Sequence, residues 1–236
     1  MRVASPISRP LNAVPLGPQQ KSNSNYPVIN QSRGWGRINL VDAADGYGAF
    51  DHDVELYMNA SLGGFNAQDR WRNDISGIGR LHKLGTGSLS LEGHNTYTGG
   101  TLLDEGTLIA TSSTAFGSNV LYQKDGTVEV SIATGKDDRS QGELNVSDYV
   151  MIAGTLSLNL ANNAHIKASN NLYVADTLQL TIPTITTSQT YQILSGHRLY
   201  GTFKTISAQD KNGVSYAVSI QYTDNSASVT VSPRAS

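Results

Sequence analysis

Five histidines, at positions 52, 82, 94, 165 and 197, are the side chains best suited to acid–base or metal chemistry near neutral pH. A metal centre needs three or four converging ligands. These histidines show no such spacing, and His82 and His94, 12 residues apart, fall short of one repeat length, so they read as solvated surface groups. Arg70 and Arg72 flank Trp71 in the one cationic cluster. If the chain has a reactive site, Arg70, Arg72, His82 and His94 are its best members, because they would flank one corner of the first repeat. Asp42, Asp45, Asp51 and Asp53 form a local acidic group beside Gly46. Calcium would suit such oxygen ligands, but no loop ending in a bidentate glutamate fits them, and turn and capping roles explain them. Gly77-Ile78-Gly79 and Gly85-Thr86-Gly87 lack the following helix that a phosphate loop requires and read as strand corners. Trp35, Trp71 and Tyr97 could stack on sugars, yet they suit an aromatic ladder inside a repetitive β fold or its cap. Asn59-Ala60-Ser61 and Asn145-Val146-Ser147 are glycosylation sequons by pattern only. No cofactor and no metal site is expected.

The elements that would position such groups are short strands. The chain has 236 residues, of which 23 are Gly, 26 Ser, 20 Thr and 18 Asn, with 15% charged residues. This composition suits strands joined by turns and argues against a helical bundle. A formal net charge of -2 gives no basis for electrostatic binding to nucleic acid. Cysteine is absent, which excludes disulfides, cysteine-ligated zinc, iron–sulfur clusters and thiol nucleophiles. No stretch is apolar enough for a membrane helix, so membrane insertion by this chain is not expected. The Pro-interrupted start is not a secretory signal, and an exported protein would carry its signal elsewhere.

From about residue 78 short alternating strands recur: Ser88–Leu91, Thr107–Ala110, Thr127–Val130, Glu143–Val146, Thr155–Leu158 and Thr177–Leu180. Gly or Asp precedes each one. The leading apolar residues at 89, 108 and 128 are spaced 19 and 20 apart; later gaps are 16, 12 and 22. His165–Ala168 splits the last of these. A period of roughly 20 residues is what one rung of a parallel β-helix needs for three short strands and their corners. A β-sandwich also gives closely spaced strands, but the recurring G-T-L-x-L text favours the helix. On that reading Leu89, Leu91, Leu108, Val128, Val130, Leu144, Leu156, Leu158, Leu178 and Leu180 share one core.

Residues 1–25, rich in proline, read as a disordered linker. Residues 26–77 read as an N-terminal cap segment in which Trp35 or Trp71 covers the open edge of the first rung, INLVDAAD being a possible short helix closed by Gly46. Residues 78–236 read as the β-helix, closed by the hairpin Val218–Tyr222 and Ala227–Val231.

Two resemblances bear on this reading. Lys83-Leu84-Gly85-Thr86-Gly87-Ser88-Leu89-Ser90-Leu91, then Asn95-Thr96-Tyr97-Thr98-Gly99-Gly100-Thr101, then Gly106-Thr107-Leu108, closely resemble the autotransporter-associated β-strand repeat, K-x-G-x-G-T-L-x-L-x-G-x-N-T-Y-x-G-G-T followed by G-T-L. Its motif positions here are Gly85, Gly87, Leu89, Leu91, Asn95, Tyr97, Gly99, Gly100, Gly106 and Leu108. The resemblance implies an all-β, right-handed parallel β-helix from the passenger of an exported bacterial protein. YQILSGHRLYGTF and the hairpin after it look like the close of such passengers. GWGRINLVDAADGYGAFDHDV and GGFNAQDRWRNDISGIGRLHKLGTG are similar to the region that follows the catalytic core in bacterial acid phosphatases of the type 2 phosphatidic acid phosphatase family. That family's motifs are K-x6-R-P, P-S-G-H and S-R-x5-H-x3-D. Arg2 with Arg9-Pro10 has the first spacing but the wrong first residue, Ser195-Gly196-His197 follows leucine instead of proline, and the third motif is absent.

The sequence therefore implies a non-catalytic passenger or stalk segment, secreted or displayed at the bacterial cell surface. Two alternatives stand beside it: an adhesin that meets a host-surface protein through exposed turns, and an accessory C-terminal domain of a secreted acid phosphatase, packed against other domains of its parent protein.

Overall fold

In the computed structural model, residues 45–133 and 142–233 are described, together with an antiparallel pair of two-residue strands, Ala13–Val14 and Arg37–Ile38. The linker assigned to residues 1–25 and the helix suggested by INLVDAAD lie almost wholly outside the described residues, as does Trp35.

Two seven-stranded parallel sheets run side by side. The first stacks Gln68–Trp71, Ser88–Leu91, Thr107–Ala110, Thr127–Val130, Thr155–Asn159, Thr177–Ile182 and Thr205–Asp210. The second stacks Val54–Tyr57, Leu81–Leu84, Thr101–Leu103, Leu121–Gln123, Tyr149–Met151, Asn171–Val174 and Arg198–Gly201. Each rung contributes one strand to each sheet, and every pairing within them is parallel. This is a parallel β-helix, and among the described residues antiparallel pairing is limited to Ser226–Val231 with its two neighbours, the Gln209–Ser215 bridge and the short pair near the start.

The third side changes along the rod. Glu143–Val146, His165–Ala168 and Gln189–Ser195 form a parallel sheet. In the rungs before residue 143, a two-residue parallel pair, Ala49–Phe50 with Ser76–Gly77, and then isolated backbone bonds take its place: Thr96 N–H to Ile75 C=O at 2.8 Å, Thr98 N–H to Gly77 C=O at 3.0 Å and Ser118 N–H to Tyr97 C=O at 3.1 Å. The polar Asn-Thr-Tyr-Thr-Gly-Gly text has no alternation to build a strand, which explains the substitution.

Alternation sets the interior. All ten apolar residues expected in one core are fully or almost fully buried in a single cluster. One detail of the sequence reading changes. Glu143–Val146 is not the next member of the 89, 108, 128 column; that column continues at Leu156, Leu178 and Ile206. Leu144 instead starts the third sheet, pairing with Ile166. The irregular gaps of 16 and 12 came from counting two sheets as one.

The parallel ladder also begins before residue 78. Val54–Tyr57 pairs in register with Leu81–Leu84, and Gln68–Trp71 with Ser88–Leu91, so part of the segment assigned as a cap is itself a rung. Between those strands lie a 3-10 turn, Ala60–Leu62, and one helical turn, Gly64–Ala67. At the other end Ser226–Val231 pairs antiparallel with both Gln189–Ser195 and Val218–Tyr222. Its Ala227, Val229 and Val231 enter the core, while Leu199 N–H reaches Asp224 C=O at 2.8 Å.

Corner geometry explains the glycine before the strands that start at Thr107 and Thr127. Gly106 and Gly126 have φ of 78° and 77°, and a Cβ on either would collide with backbone carbonyls of the preceding corner. Stacked corners leave no room for a side chain and require the left-handed region, and glycine meets both conditions.

Candidate functional site

The side chains with built environments lie inside the rod. Asn95 is 1% exposed. Its Oδ1 accepts from Ile75 N–H at 2.7 Å and its Nδ2 donates to Ala115 C=O at 2.6 Å. The two partners lie 20 residues before and after it, so one side chain ties three successive rungs. Tyr97 is fully buried, with its hydroxyl on Thr101 Oγ1, which in turn donates to Phe116 C=O at 3.0 Å. Burial raises the Tyr97 phenol well above its ordinary pKa. Its ring packs 4.9 Å from that of Phe50.

Lys83 is equally buried. Its ammonium donates to Leu84 C=O at 3.0 Å, Gly85 C=O at 2.6 Å and Glu105 C=O at 3.2 Å. Burial lowers its pKa to about 8, partly opposed by the charge of Glu105. At neutral pH it is still mostly protonated and can serve all three carbonyls. Two rungs on in the same inward column, Gln123 plays the same part. Its Nε2 donates to Gly126 C=O at 2.9 Å and Thr155 C=O at 3.0 Å. Its Oε1 accepts from the Tyr149 hydroxyl at 2.6 Å, and burial raises that phenol too. These polar groups satisfy corner carbonyls that would otherwise be buried unpaired.

Asn95, Tyr97 and the glycines stood out in the sequence; Lys83, Thr101, Gln123 and Tyr149 did not. Lys83 opens the repeat text, and Gln123 lies two repeat lengths beyond it. Stacking the sequence at the repeat period would have placed both in one inward column.

The four residues that could have formed a reactive corner do not meet. Arg70 and Arg72 lie on the outer side of the first sheet, Arg70 paired with Glu92 and Arg72 with Asp45 at 2.7 Å and Glu92 at 3.5 Å. His82 lies on the outer face of the second sheet, 3.7 Å from Glu55 and 3.3 Å from Asp104, and Lys124 approaches Asp104 at 3.4 Å. His94 is exposed on a turn, its backbone N–H held by Asp74 Oδ1 at 2.7 Å. His165 pairs with Glu143 at 3.3 Å, and His52 and His197 are exposed. Among the described residues no group of three or more histidines and carboxylates could hold a metal ion.

The aspartates near Gly46 are dispersed as well. Asp53 accepts from the Arg80 backbone N–H at 2.9 Å and guanidinium at 2.7 Å; these bonds, the backbone one first, hold its carboxyl below the usual range. Asp42 lies outside the described residues. Trp71 and Tyr97 are buried and offer no face to a sugar. Trp71 packs against Tyr47, with ring centroids 5.1 Å apart, and donates from Nε1 to Asp69 Oδ2 at 3.0 Å.

The arrangement is a parallel β-helix whose interior polar groups serve its own backbone, which is the class of a repeat scaffold. Residues 81–110 match the passenger-associated-transport-repeat model. The chain is 36% identical over 131 residues to an extracellular serine protease of Serratia marcescens, an alignment covering 42% of this chain and 12% of the relative. It is 31% identical over 144 residues to the Neisserial autotransporter lipoprotein NalP of Neisseria meningitidis serogroup B, covering 61% of this chain and 12% of that protein. The chain thus spans only a small part of the relatives it matches. Together with the ladder, these matches show that the chain carries a β-repeat segment similar to those of autotransporter passengers. Among the described residues no helix is long and apolar enough to cross a membrane.

Proposed function

We propose that the chain is a rigid, non-catalytic spacer that holds another part of its parent protein away from the point of attachment. The observation that carries this reading is the interior: Lys83, Asn95, Gln123 and Tyr149 are all spent on backbone groups or on one another, and none faces a cleft. Seven strands spaced roughly 4.8 Å apart make a rod about 29 Å long on each face. The relatives are far longer than this segment, which suits a spacer joined to a separate working domain. The described residues before Val54, with Phe50 buried and Ala49–Phe50 paired to Ser76–Gly77, serve as the N-terminal cover of the stack.

The test has two arms. Deleting residues 101–120 removes one rung; the remaining chain should stay folded and shorten by one strand spacing in small-angle scattering. The intact chain should not hydrolyse phosphate esters, glycosides or peptides above background. Turnover abolished by His82→Ala or His94→Ala overturns the reading. A second reading, contact with a host-surface protein, draws on the exposed Tyr57, Leu62 and Ile78 near the first rungs. Binding to host cells that vanishes on replacing Leu62 and Ile78 by serine would support it.

A further inference from the structure

Asn212-Gly213 is the only asparagine–glycine step in the chain. It occupies the turn from Asp210 to Val214, where Lys211, Asn212 and Gly213 are all exposed. Gly213 has φ of 77°, and nothing lies within 4 Å of the place a Cβ would take. Two aspartate–glycine steps make a useful contrast. Gly46 is packed onto the Trp71 side chain, and Gly126 sits on the Gly106 carbonyl with its N–H held by Asp125 Oδ1 at 2.7 Å. Both are locked between rungs, while the 212–213 step is open and carries a carboxamide, a better acyl donor than a carboxylate.

We propose that Asn212 is a site of spontaneous deamidation and isomerisation that loosens the C-terminal closure of the rod. The Gly213 main-chain nitrogen attacks Asn212 Cγ and forms the new C–N bond. It gives its proton to water, the Cγ–Nδ2 bond breaks, and ammonia leaves after taking a proton from water. The product is a succinimide, and no oxidant or reductant is involved. Water then opens the ring at either carbonyl, giving aspartate or isoaspartate. In isoaspartate the main chain is longer by one methylene. The fold's resistance is one exposed turn bond, Gly213 N–H to Asp210 C=O at 2.9 Å, which opens before attack.

The consequence is local. Asp210 Oδ1 accepts from Asn212 N–H at 2.8 Å and Val214 N–H at 2.9 Å. The same turn sets the Gln209–Ser215 bridge and the bond from Tyr216 N–H to Ala208 C=O at 2.9 Å, which cover part of the last strand of the first sheet. A new carboxylate at 212 arrives beside Asp210, and the longer backbone disturbs the bridge.

The full chain, aged in mildly alkaline buffer and digested, should show isoaspartate and aspartate at 212 forming at least about tenfold faster than at any other asparagine, because only there does glycine leave the attacking nitrogen unhindered. Amide exchange at Val214 and Tyr216 should quicken on ageing, while aged Asn212→Gln protein keeps its initial protection. Deamidation at 212 no faster than at Asn225 overturns the site. Unchanged exchange at Tyr216 in fully converted protein overturns the loosening.

Discussion

Replacing Asn95 by alanine tests whether the interior asparagine ties the rungs together. The side chain meets two backbone groups, Ile75 N–H at 2.7 Å and Ala115 C=O at 2.6 Å, at a site only 1% exposed. Alanine leaves both groups buried without a partner. Each orphaned group costs about 1–3 kcal/mol, so the expected loss is about 3 kcal/mol, a large part of a domain's stability. Asn119 is the control. Its Nδ2 donates to Thr98 C=O at 2.6 Å, an exposed analogue of the Asn95 bond, and water can replace it. Asn119→Ala should cost less than about 1 kcal/mol. Asn95→Asp separates the two bonds: it keeps the acceptor for Ile75 but turns a carboxylate oxygen toward the Ala115 carbonyl. It should be destabilised at neutral pH and partly rescued in acid, where a protonated carboxyl can donate. Urea unfolding followed by far-ultraviolet circular dichroism gives all three values. If Asn95→Ala falls within about 0.5 kcal/mol of the parent, or matches Asn119→Ala, the bridging argument is wrong.

Other outcomes follow from the same interior. Lys83 has a folded pKa of about 8 against an ordinary 10.5, so as pH falls through that window the unfolded chain takes up a proton that the folded chain resists. Stability should therefore rise between pH 8 and pH 10 and be flat just below, by at most about 3 kcal/mol, and the rise should vanish in Lys83→Met; the buried phenols of Tyr97 and Tyr149, raised by burial, reverse the trend at higher pH. Gly126→Ala forces a φ of 77° on alanine and drives its Cβ into the Gly106 carbonyl, so thermal melting should show a loss of about 2 kcal/mol or more. Tyr149→Phe removes the hydroxyl that Gln123 Oε1 accepts and should cost about 1–2 kcal/mol in chemical denaturation.

Five strands of the first sheet, from Ser88–Leu91 to Thr177–Ile182, were legible because each carries at least two inward apolar residues behind a glycine or aspartate, as in Gly106-Thr107-Leu108-Ile109-Ala110; Gln68–Trp71, with Asp69 inward, and Thr205–Asp210 follow Ala67 and Lys204 and were not. The second sheet was harder to read. Its inward column holds Lys83, Leu103, Gln123 and Met151, and a polar residue at every other rung breaks the alternation that marks a strand. Ser76–Gly77 and Ala49–Phe50 are too short to give any period. Asn95 and Tyr97 were legible as repeat positions, but their role was not: it depends on partners a full repeat away in sequence. The imagined corner of Arg70, Arg72, His82 and His94 failed because closeness in the chain was taken for closeness in space. Residues 70 and 82 belong to different sheets of a stacked rod, and each finds its ionic partner on an adjacent rung.

A stack in which each rung touches only its neighbours is at risk of unfolding piecemeal from its ends. The polar residues inside this rod act against that. Asn95 spans from Ile75 to Ala115, Lys83 reaches from its own corner to Glu105, and Gln123 reaches Thr155. Each joins the backbone of one rung to the next, so a rung cannot leave without orphaning buried groups in the one that remains. Removing two of these ties should therefore change cooperativity as well as stability. In Asn95→Ala/Lys83→Met, the rungs through Leu103 should unfold at lower denaturant than those beyond Tyr149. A single transition should become two, and Trp71 fluorescence, which reports the first rung, should shift before the circular dichroism of the whole rod. Each single variant should retain one transition at a lower midpoint. If the double variant still unfolds in one step with an unchanged slope, apolar stacking alone couples the rungs and the polar ties are only local repairs.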